Sequence, residues 1–167
     1  MPARYSRIAG SLTVLLLVVF QAVNAQYHFT RCPLNPVMAA GPSGSWDSRY
    51  VLNASVVHRD GHYYMWYSGW SGYGQFATGI ARSFDGVRWS RYVGNPIMVG
   101  SEVWWSMGGI RSPGVSWVDS QYVMLFMMYP SAAGPMRRIG IAASQDGISW
   151  HIYANPIIVS EIGRAHV

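Results

Sequence analysis

The sequence contains no lysine, so its 12 basic residues are all arginine. Acidic residues are scarce as well, with seven Asp and Glu in 167 residues, and charged residues make up only 11% of the chain. The arginines are scattered, and only Arg137 and Arg138 are adjacent. Because no basic stripe alternates with aromatic residues, the net charge of +5 does not indicate a nucleic-acid partner.

Cysteine is almost absent. Cys32 is the single cysteine, so these residues contain no partner with which it could form a disulfide. His58 and His62 are four residues apart, but they stand on opposite sides of a predicted hairpin turn with no thiol or carboxylate converging on them. We therefore expect neither a metal site nor a cofactor.

Long apolar runs are also absent, apart from one near the N-terminus. Residues 12–20 are almost entirely apolar, but this run is shorter than the ~20 residues that a membrane span needs. Arg4 and Arg7 precede it and small residues follow at 23–25, which is typical of a signal peptide. We predict that residues 1–25 are a signal peptide and that the protein is secreted, extracellular or periplasmic, with no membrane contact beyond this segment.

What the sequence does have is an internal repeat. The segment Asn35-Pro36-Val37-Met38 returns at 95–98 and again at 155–158, with a spacing of 60 residues both times. Between these markers, residues 79–89 match residues 140–150, and both contain the pattern Ser-x-Asp-Gly-x-x-Trp. Markers in the same order at nearly constant spacing indicate duplication.

Each repeat is predicted to form four short strands, with almost no helix after the signal peptide. In the first repeat we expect strands at 55–59, 62–68, 76–83 and 87–92, with hairpin turns at Asp60-Gly61 and Asp85-Gly86. Asp85 and Asp146 are expected to cap their own turns, and the tryptophans that follow them to pack between repeats. Four antiparallel strands at this period are typical of a β-propeller blade.

The repeat also predicts the organisation of the chain. After the signal peptide we expect a lead-in at 26–34, blade repeats at 35–94 and 95–154, and the start of a third repeat at 155–160. Residues 161–167 break the repeat and read as a translated sequencing adapter, so we expect them to be non-native and the natural reading frame to continue.

The motif set resembles the five-bladed propeller clan that contains glycoside hydrolase families 32, 43, 68 and 130. The resemblance is carried by the Asn-Pro markers, by Gly44-Ser45-Trp46-Asp47, by residues 61–69 and by the two Ser-x-Asp-Gly-x-x-Trp turns. It implies an all-β fold, a partial five-bladed β-propeller with about two four-stranded antiparallel blades and the start of a third. It also implies a carbohydrate substrate, and it leaves the oligomeric state open.

Glycoside hydrolysis generally needs two carboxylates. In the resembling families, acidic residues stand at the start of the innermost strands, and the corresponding positions here are Asn53 and Ser112. Neither side chain becomes an anion at neutral pH, so we expect both to contact substrate rather than act as acid or base. Asp47 and Glu102 remain the candidate catalytic residues, with a structural hydrogen bond as the alternative role for Asp47.

Three further residues are candidates for binding substrate. The guanidinium of Arg111 suits sugar hydroxyls or a carboxylate, and a salt bridge to a neighbouring blade is the alternative. Trp46 and Trp105 are candidates for stacking on sugar rings, as are Trp70 and Trp104, although packing between blades is the usual role of a propeller tryptophan.

Three functions are compatible with these features. The first is an exported glycoside hydrolase for poly- or oligosaccharides, with its acid and base partly on blades beyond this sequence. The second is a non-catalytic carbohydrate-binding or scaffold propeller. The third, a sialidase-like enzyme, ranks last because it needs three arginines around the substrate carboxylate, and only Arg111 is suitably placed.

Overall fold

The computed structural model describes residues 29–100, 109–128 and 137–159. The predicted signal peptide and residues 161–167 lie outside these ranges. The described residues from Leu34 onward form one compact unit, and the few described residues that precede it contain no strand. Every regular element in the described ranges is a β-strand, which confirms the predicted all-β class.

The strands form two antiparallel sheets that follow one another along the chain. In the first sheet, which we call blade 1, the order is β1 (Tyr50–Arg59), β2 (His62–Trp70), β3 (Ala77–Ser83) and β4 (Ser90–Arg91). In blade 2 the order is β5 (Ile110–Val118), β6 (Gln121–Met128), β7 (Arg138–Ser144) and β8 (His151–Ile152), and β9 (Ile158–Val159) also pairs with β7. The predicted four-stranded blades are therefore confirmed.

The fourth strand of blade 1 is shorter than the sequence predicts. We expected a strand over 87–92, and the structure has only Ser90–Arg91. The reason lies in the preceding turn, where the Asp85 carboxylate accepts the backbone N–H groups of Val87 at 2.8 Å and Arg88 at 2.7 Å. Amides that bond to this side chain cannot join the ladder, so the strand begins after the turn.

The predicted role of the two turn aspartates is confirmed. In blade 2 the Asp146 carboxylate accepts the amides of Ile148 and Ser149, both at 2.8 Å, as Asp85 does in blade 1. Each turn is closed by its tryptophan, and the Trp150 indole N–H donates to the Gly147 carbonyl at 3.1 Å.

The two blades pack face to face around Trp66. This side chain is fully buried, and its indole N–H donates to the Gly147 carbonyl of blade 2 at 2.8 Å. Its ring centroid lies 5.1 Å from that of Tyr122 and 6.2 Å from that of Trp150. Trp150 therefore packs between the blades, as predicted. The core here also includes buried side chains from both blades: Ile80, Met98, Ile110, Val115, Met124, Phe126, Met128 and Ala142.

Candidate functional site

The first strands of the two blades carry the same irregularity at the same place. In β1 the register shifts between Leu52 and Ser55, and in β5 it shifts between Arg111 and Gly114. Each shift is a β-bulge, which bends a strand and redirects a side chain, and bulges are common beside functional sites. In a propeller the first strand of each blade is the innermost, so both bulges lie on the inner strands.

Each bulge contains a non-glycine residue in the left-handed backbone region. Asn53 has φ 52° and Ser112 has φ 56°. Such a conformation is uncommon outside glycine, although asparagine tolerates it better than most residues. Held in this way, the two side chains meet, and the Asn53 amide donates to the Ser112 hydroxyl at 2.8 Å. We call Asn53 and Ser112 the inner pair.

Two buried or half-buried serines of blade 1 hold blade 2 beside it. Ser68 is fully buried, and its hydroxyl accepts the backbone N–H of Ser112 at 2.8 Å. The Ser55 hydroxyl accepts the N–H of Val115 at 2.9 Å. These bonds satisfy two backbone amides of the edge strand β5, one within the bulge and one beyond it, so the inner pair rests on a fixed backbone. Neither serine was predicted as part of the site. The repeat offered one signal for Ser68, because the equivalent position in β6 holds the apolar residue Met127.

The chemistry available to the inner pair is neutral. Amide and hydroxyl groups donate and accept hydrogen bonds, but neither becomes an anion near neutral pH. Asn53 is exposed and Ser112 is half-buried, so this end of the inner strands is accessible to a ligand. The arrangement suits recognition of hydroxyl groups, whereas proton transfer in glycoside hydrolysis requires carboxylates.

Arg111 lies next to the inner pair and rests on an aromatic row. Its guanidinium carbon is 4.8 Å from the ring centroid of Phe76, which stacks on Trp70 at 5.5 Å. Trp70 in turn stacks on Tyr50 at 5.7 Å with the two planes 4° apart. Tyr50, Trp70 and Phe76 are the aromatic row. Trp70 is thus stacked against two other rings, and through Phe76 it supports Arg111 by packing.

Asp47 is enclosed on the face of blade 1 opposite to the one that carries Trp66 and the aromatic row. The residue is only 1% exposed, and its carboxylate accepts hydrogen bonds from the Arg91 guanidinium at 2.9 Å, the Ser45 hydroxyl at 2.9 Å and the Tyr67 hydroxyl at 3.2 Å. Arg91 also donates to the Ala39 carbonyl. Burial raises the pKa of Tyr67 to about 12, and the Asp47 charge adds to this effect while Arg91 opposes it. The structure thus places Asp47 in an ion-paired network and not beside the inner pair.

Trp46 packs beside this network. Its ring stacks on Tyr67 with a centroid distance of 5.5 Å, and a Cβ added to Gly79 would lie 2.6 Å from it. Trp46 therefore fills the face of blade 1 that blade 2 does not cover. Glu102 and Trp105, together with Trp104, lie outside the described residues, and their proposed roles stay predictions.

Hydrogen bonds from backbone amides favour the ionised form of both turn aspartates. The amides of Arg88 and Val87 hold the pKa of Asp85 well below its usual range. Burial alone would raise the pKa of Asp146, but the amides of Ile148 and Ser149 outweigh it and lower the pKa. Both carboxylates are engaged in turn closure, which agrees with a structural role.

No three His, Cys, Asp or Glu side chains in the described ranges are grouped as metal ligands would be. The described part of the chain also contains no helix long and apolar enough to cross a membrane.

The fold matches solved glycoside hydrolases. A glycosyl hydrolase from Bacteroides ovatus aligns with a TM-score of 0.64 at 21% identity, over 77% of this chain and 41% of that chain. A structure from the GH130 family of mannoside phosphorylases, which contains glycoside hydrolases that target β-1,2 mannosidic linkages in Candida mannan, aligns with a TM-score of 0.66 at 19% identity. The alignment covers 78% of this chain and 42% of that chain. Fructan 1-exohydrolase IIa from Cichorium intybus aligns at 0.60 and 16% identity, over 72% and 23% of the two chains.

These likenesses confirm the predicted partial β-propeller fold. The chain spans about two fifths of the length of the Bacteroides ovatus structure, and less of the Cichorium intybus one. No family model and no curated protein matches the chain.

Proposed function

We propose that the protein is an exported glycoside hydrolase-like propeller that acts on or binds poly- or oligosaccharides at the inner pair. The observation that carries the proposal is the contact between Asn53 and Ser112, two strained residues at equivalent bulges on adjacent inner strands. Backbone strain of this kind persists at functional sites, where the surrounding structure holds it in place. The solved glycosidases with this fold support a carbohydrate as the ligand. Export is proposed from the N-terminal sequence pattern alone.

In this proposal the inner pair binds and does not perform proton transfer. Asn53 and Ser112 contribute hydrogen bonds to sugar hydroxyls, and Arg111 contributes a positive charge beside them. Hydrolysis would require carboxylates from elsewhere, for which Glu102 and blades beyond this sequence are the proposed sources.

A non-catalytic carbohydrate-binding propeller is the second candidate. One specific observation favours it: the positions where the resembling families place acids hold a neutral pair bonded to each other at 2.8 Å. Such a pair binds sugar hydroxyls equally well whether or not cleavage follows.

The experiment is calorimetric titration of the protein with a panel of β-mannosides, fructans and other neutral oligosaccharides, with chromatography of the same mixtures for cleavage products. We expect Asn53→Ala to weaken binding about tenfold, since one lost polar contact is worth about 1.4 kcal/mol. Asn155→Ala, which removes an exposed asparagine from a repeat marker, is the matched control and should bind as the unaltered protein does. Equal affinity of the two variants would sink the proposal.

The two candidates differ in the products. Released sugar that disappears in Glu102→Gln, with affinity retained, would support the hydrolase. Binding without any product would support the binding propeller.

A further inference from the structure

A cleft opens between the two blades at the outer edge of blade 1. Its volume is about 510 Å³, and its walls come from β2, β3 and β4 of blade 1 and from the turn at Ile148 of blade 2. Three strand spacings, roughly 14 Å, separate β4 from β1, so the cleft is a different place from the inner pair. Six residues give it its chemical character: Tyr64, Ile80, Arg82, Ser90, Tyr92 and Ile148.

Three of these residues form one row across blade 1. Tyr64 of β2 is registered opposite Arg82 of β3, and Arg82 is registered opposite Ser90 of β4. Directly opposed residues of neighbouring strands project from the same face of a sheet. This face is the one that packs on blade 2, because Trp66 and Ile80 lie on it and belong to the interface core. The row therefore stands in the space between the blades.

The walls of the cleft are mainly aromatic and aliphatic. Tyr64 and Ile148 are half-buried against the interface core, and Ile80 is part of that core. Tyr92 follows β4 and is exposed, and its backbone N–H donates to the Ile80 carbonyl at 3.0 Å. Small-molecule sites have volumes of ~300–1,000 Å³ and combine such walls with a few polar groups, so the cleft has the size and lining of a ligand site.

Arg82 supplies the charge of the cleft. Its guanidinium carbon lies 5.6 Å from the ring centroid of Phe84, whose ring packs on His62 with a centroid distance of 4.4 Å. This cation–π contact orients an otherwise exposed side chain. Among the described residues, no carboxylate forms an ion pair with Arg82 and no Asp or Glu lines the cleft. The guanidinium is thus available to an anion that comes from outside the chain.

Blade 2 provides an internal comparison. Ala143 holds the register position of Arg82, and Gln145 holds the repeat position of Phe84. The corresponding hollow on blade 2, of about 460 Å³, is lined by these two residues and also by Asp146. The guanidinium and the ring that supports it are therefore particular to blade 1, and the repeated sheet does not require them.

We propose that the cleft is a second ligand site, which binds a sugar unit that carries a carboxylate, such as a uronic acid residue of an acidic polysaccharide. The Arg82 guanidinium pairs with the carboxylate through charge-assisted hydrogen bonds. The rings of Tyr64 and Tyr92 pack on the apolar face of the sugar ring, and the Ser90 hydroxyl bonds to a sugar hydroxyl. The preference for an anion follows from the charge of the cleft, whereas the choice of a sugar as its carrier rests on the proposed function.

The test is NMR titration of the full chain, because the amides of Ser90 and Tyr92 report on the cleft and that of Ser112 reports separately on the inner pair. The probe is α-1,4-linked digalacturonic acid, and the matched neutral probe is α-1,4-linked digalactose, which has hydroxymethyl groups in place of the carboxylates. We expect the chemical shifts of Ser90 and Tyr92 to change and saturate with the acidic disaccharide, at an affinity at least about tenfold higher than with the neutral one. Acetate, which has the charge but no ring, should also bind at least about tenfold more weakly.

Two pairs of variants make the result specific. Arg82→Gln should weaken binding of the acidic disaccharide about tenfold or more, whereas Arg88→Gln, which removes the same charge from an exposed arginine outside the cleft, should not. Tyr92→Ala should weaken it about threefold or more. Tyr153→Ala should have no effect, since Tyr153 holds the equivalent place in blade 2, with its N–H donating to the Ile141 carbonyl.

The outcomes separate this site from the inner pair. Equal affinity of the two arginine variants, equal affinity for the acidic and neutral disaccharides, or shifts at Ser112 with none at Ser90 would overturn the proposal. Acetate that binds as tightly as the disaccharide would also overturn it, by showing that the cleft takes any carboxylate. If no neutral oligosaccharide binds at the inner pair, the proposed function fails there, and an Arg82-dependent affinity for the acidic disaccharide still supports the second site.

Discussion

Blade 1 and blade 2 share a sheet order, an inner-strand bulge and an aspartate turn, yet their equivalent faces are covered differently. On blade 1, Trp66 is fully buried against blade 2 and bonds to Gly147. The residue at the same register in blade 2 is Leu125, which is 45% exposed. Among the described residues, the same strand position therefore lies in an interface in blade 1 and is partly exposed in blade 2.

The other faces of the two blades, which carry Tyr67 in blade 1 and Phe126 in blade 2, differ in polarity. Tyr67 and Arg91 of blade 1 form the network with Asp47, while Phe126 and Ile152 hold the equivalent positions in blade 2 and lie in the apolar interface. Blade 2 packs there against another sheet, whereas blade 1 is covered by the loop that contains Asp47. Among the described residues, these equivalent faces are covered by a sheet in blade 2 and by a loop in blade 1, and the side chains that face each cover differ accordingly.

The largest expected effect is at Trp66. Trp66→Ala removes a fully buried indole and its hydrogen bond, and we expect the free energy of unfolding to fall by about 3–5 kcal/mol. Leu125→Ala at the equivalent position should cost less than about 1 kcal/mol because the side chain is half-exposed. Urea denaturation followed by circular dichroism measures both. Similar losses in the two variants would show that the blades do not differ as described.

A second pair of variants tests the same interface from the turn side. Gly147 and Gly86 have φ of 74° and 73°, so an alanine at either position carries a backbone cost of about 1–2 kcal/mol. A Cβ on Gly147 would also lie 2.7 Å from the Trp66 ring, whereas the nearest atom to a Cβ on Gly86 is 3.8 Å away on Tyr63. We expect Gly147→Ala to cost about 1–3 kcal/mol more than Gly86→Ala. Equal melting temperatures for the two variants would contradict the close packing of Trp66 on blade 2.

The smallest expected effect is the pH dependence of the Asp47 network. The pKa of Tyr67 is about 12 in the folded protein against about 10 for a free tyrosine. Between these values the unfolded chain loses the proton and the folded protein keeps it, so the free energy of unfolding should fall as pH rises from about 10 to about 12. Tyr67→Phe should flatten this decline in urea melts across that range, and Tyr153→Phe, which alters an exposed tyrosine of blade 2, should not.

Much of the fold could be predicted from the sequence because it is repeated. The spacing of the Asn-Pro markers predicted the blades, and the Asp-Gly turns predicted the hairpins. The fourth strand of blade 1 was predicted too long. The pattern of residue types does not show that the Asp85 carboxylate accepts hydrogen bonds from the amides of Val87 and Arg88.

The site was only partly predictable. Asn53 and Ser112 were placed on the inner strands through the resemblance to propeller glycosidases, but their mutual hydrogen bond depends on two bulges that local sequence does not predict. The Asp47 and Arg91 pair joins residues far apart in the chain. The sequence offered one signal for this network. Tyr67 and Arg91 are polar, whereas the equivalent positions in the second repeat are apolar.

The central claim, that the inner pair is the ligand-binding end of the propeller, is tested most directly by NMR titration with the oligosaccharide that binds best in the calorimetric panel. We expect the chemical shifts of the Asn53 side-chain amide and the Ser112 backbone amide to change progressively and to saturate with the affinity measured by calorimetry. The chemical shifts of the Val87 and Ile148 amides, in the outer turns, should stay unchanged. Saturable shifts at the outer turns with none at Asn53 or Ser112 would contradict it.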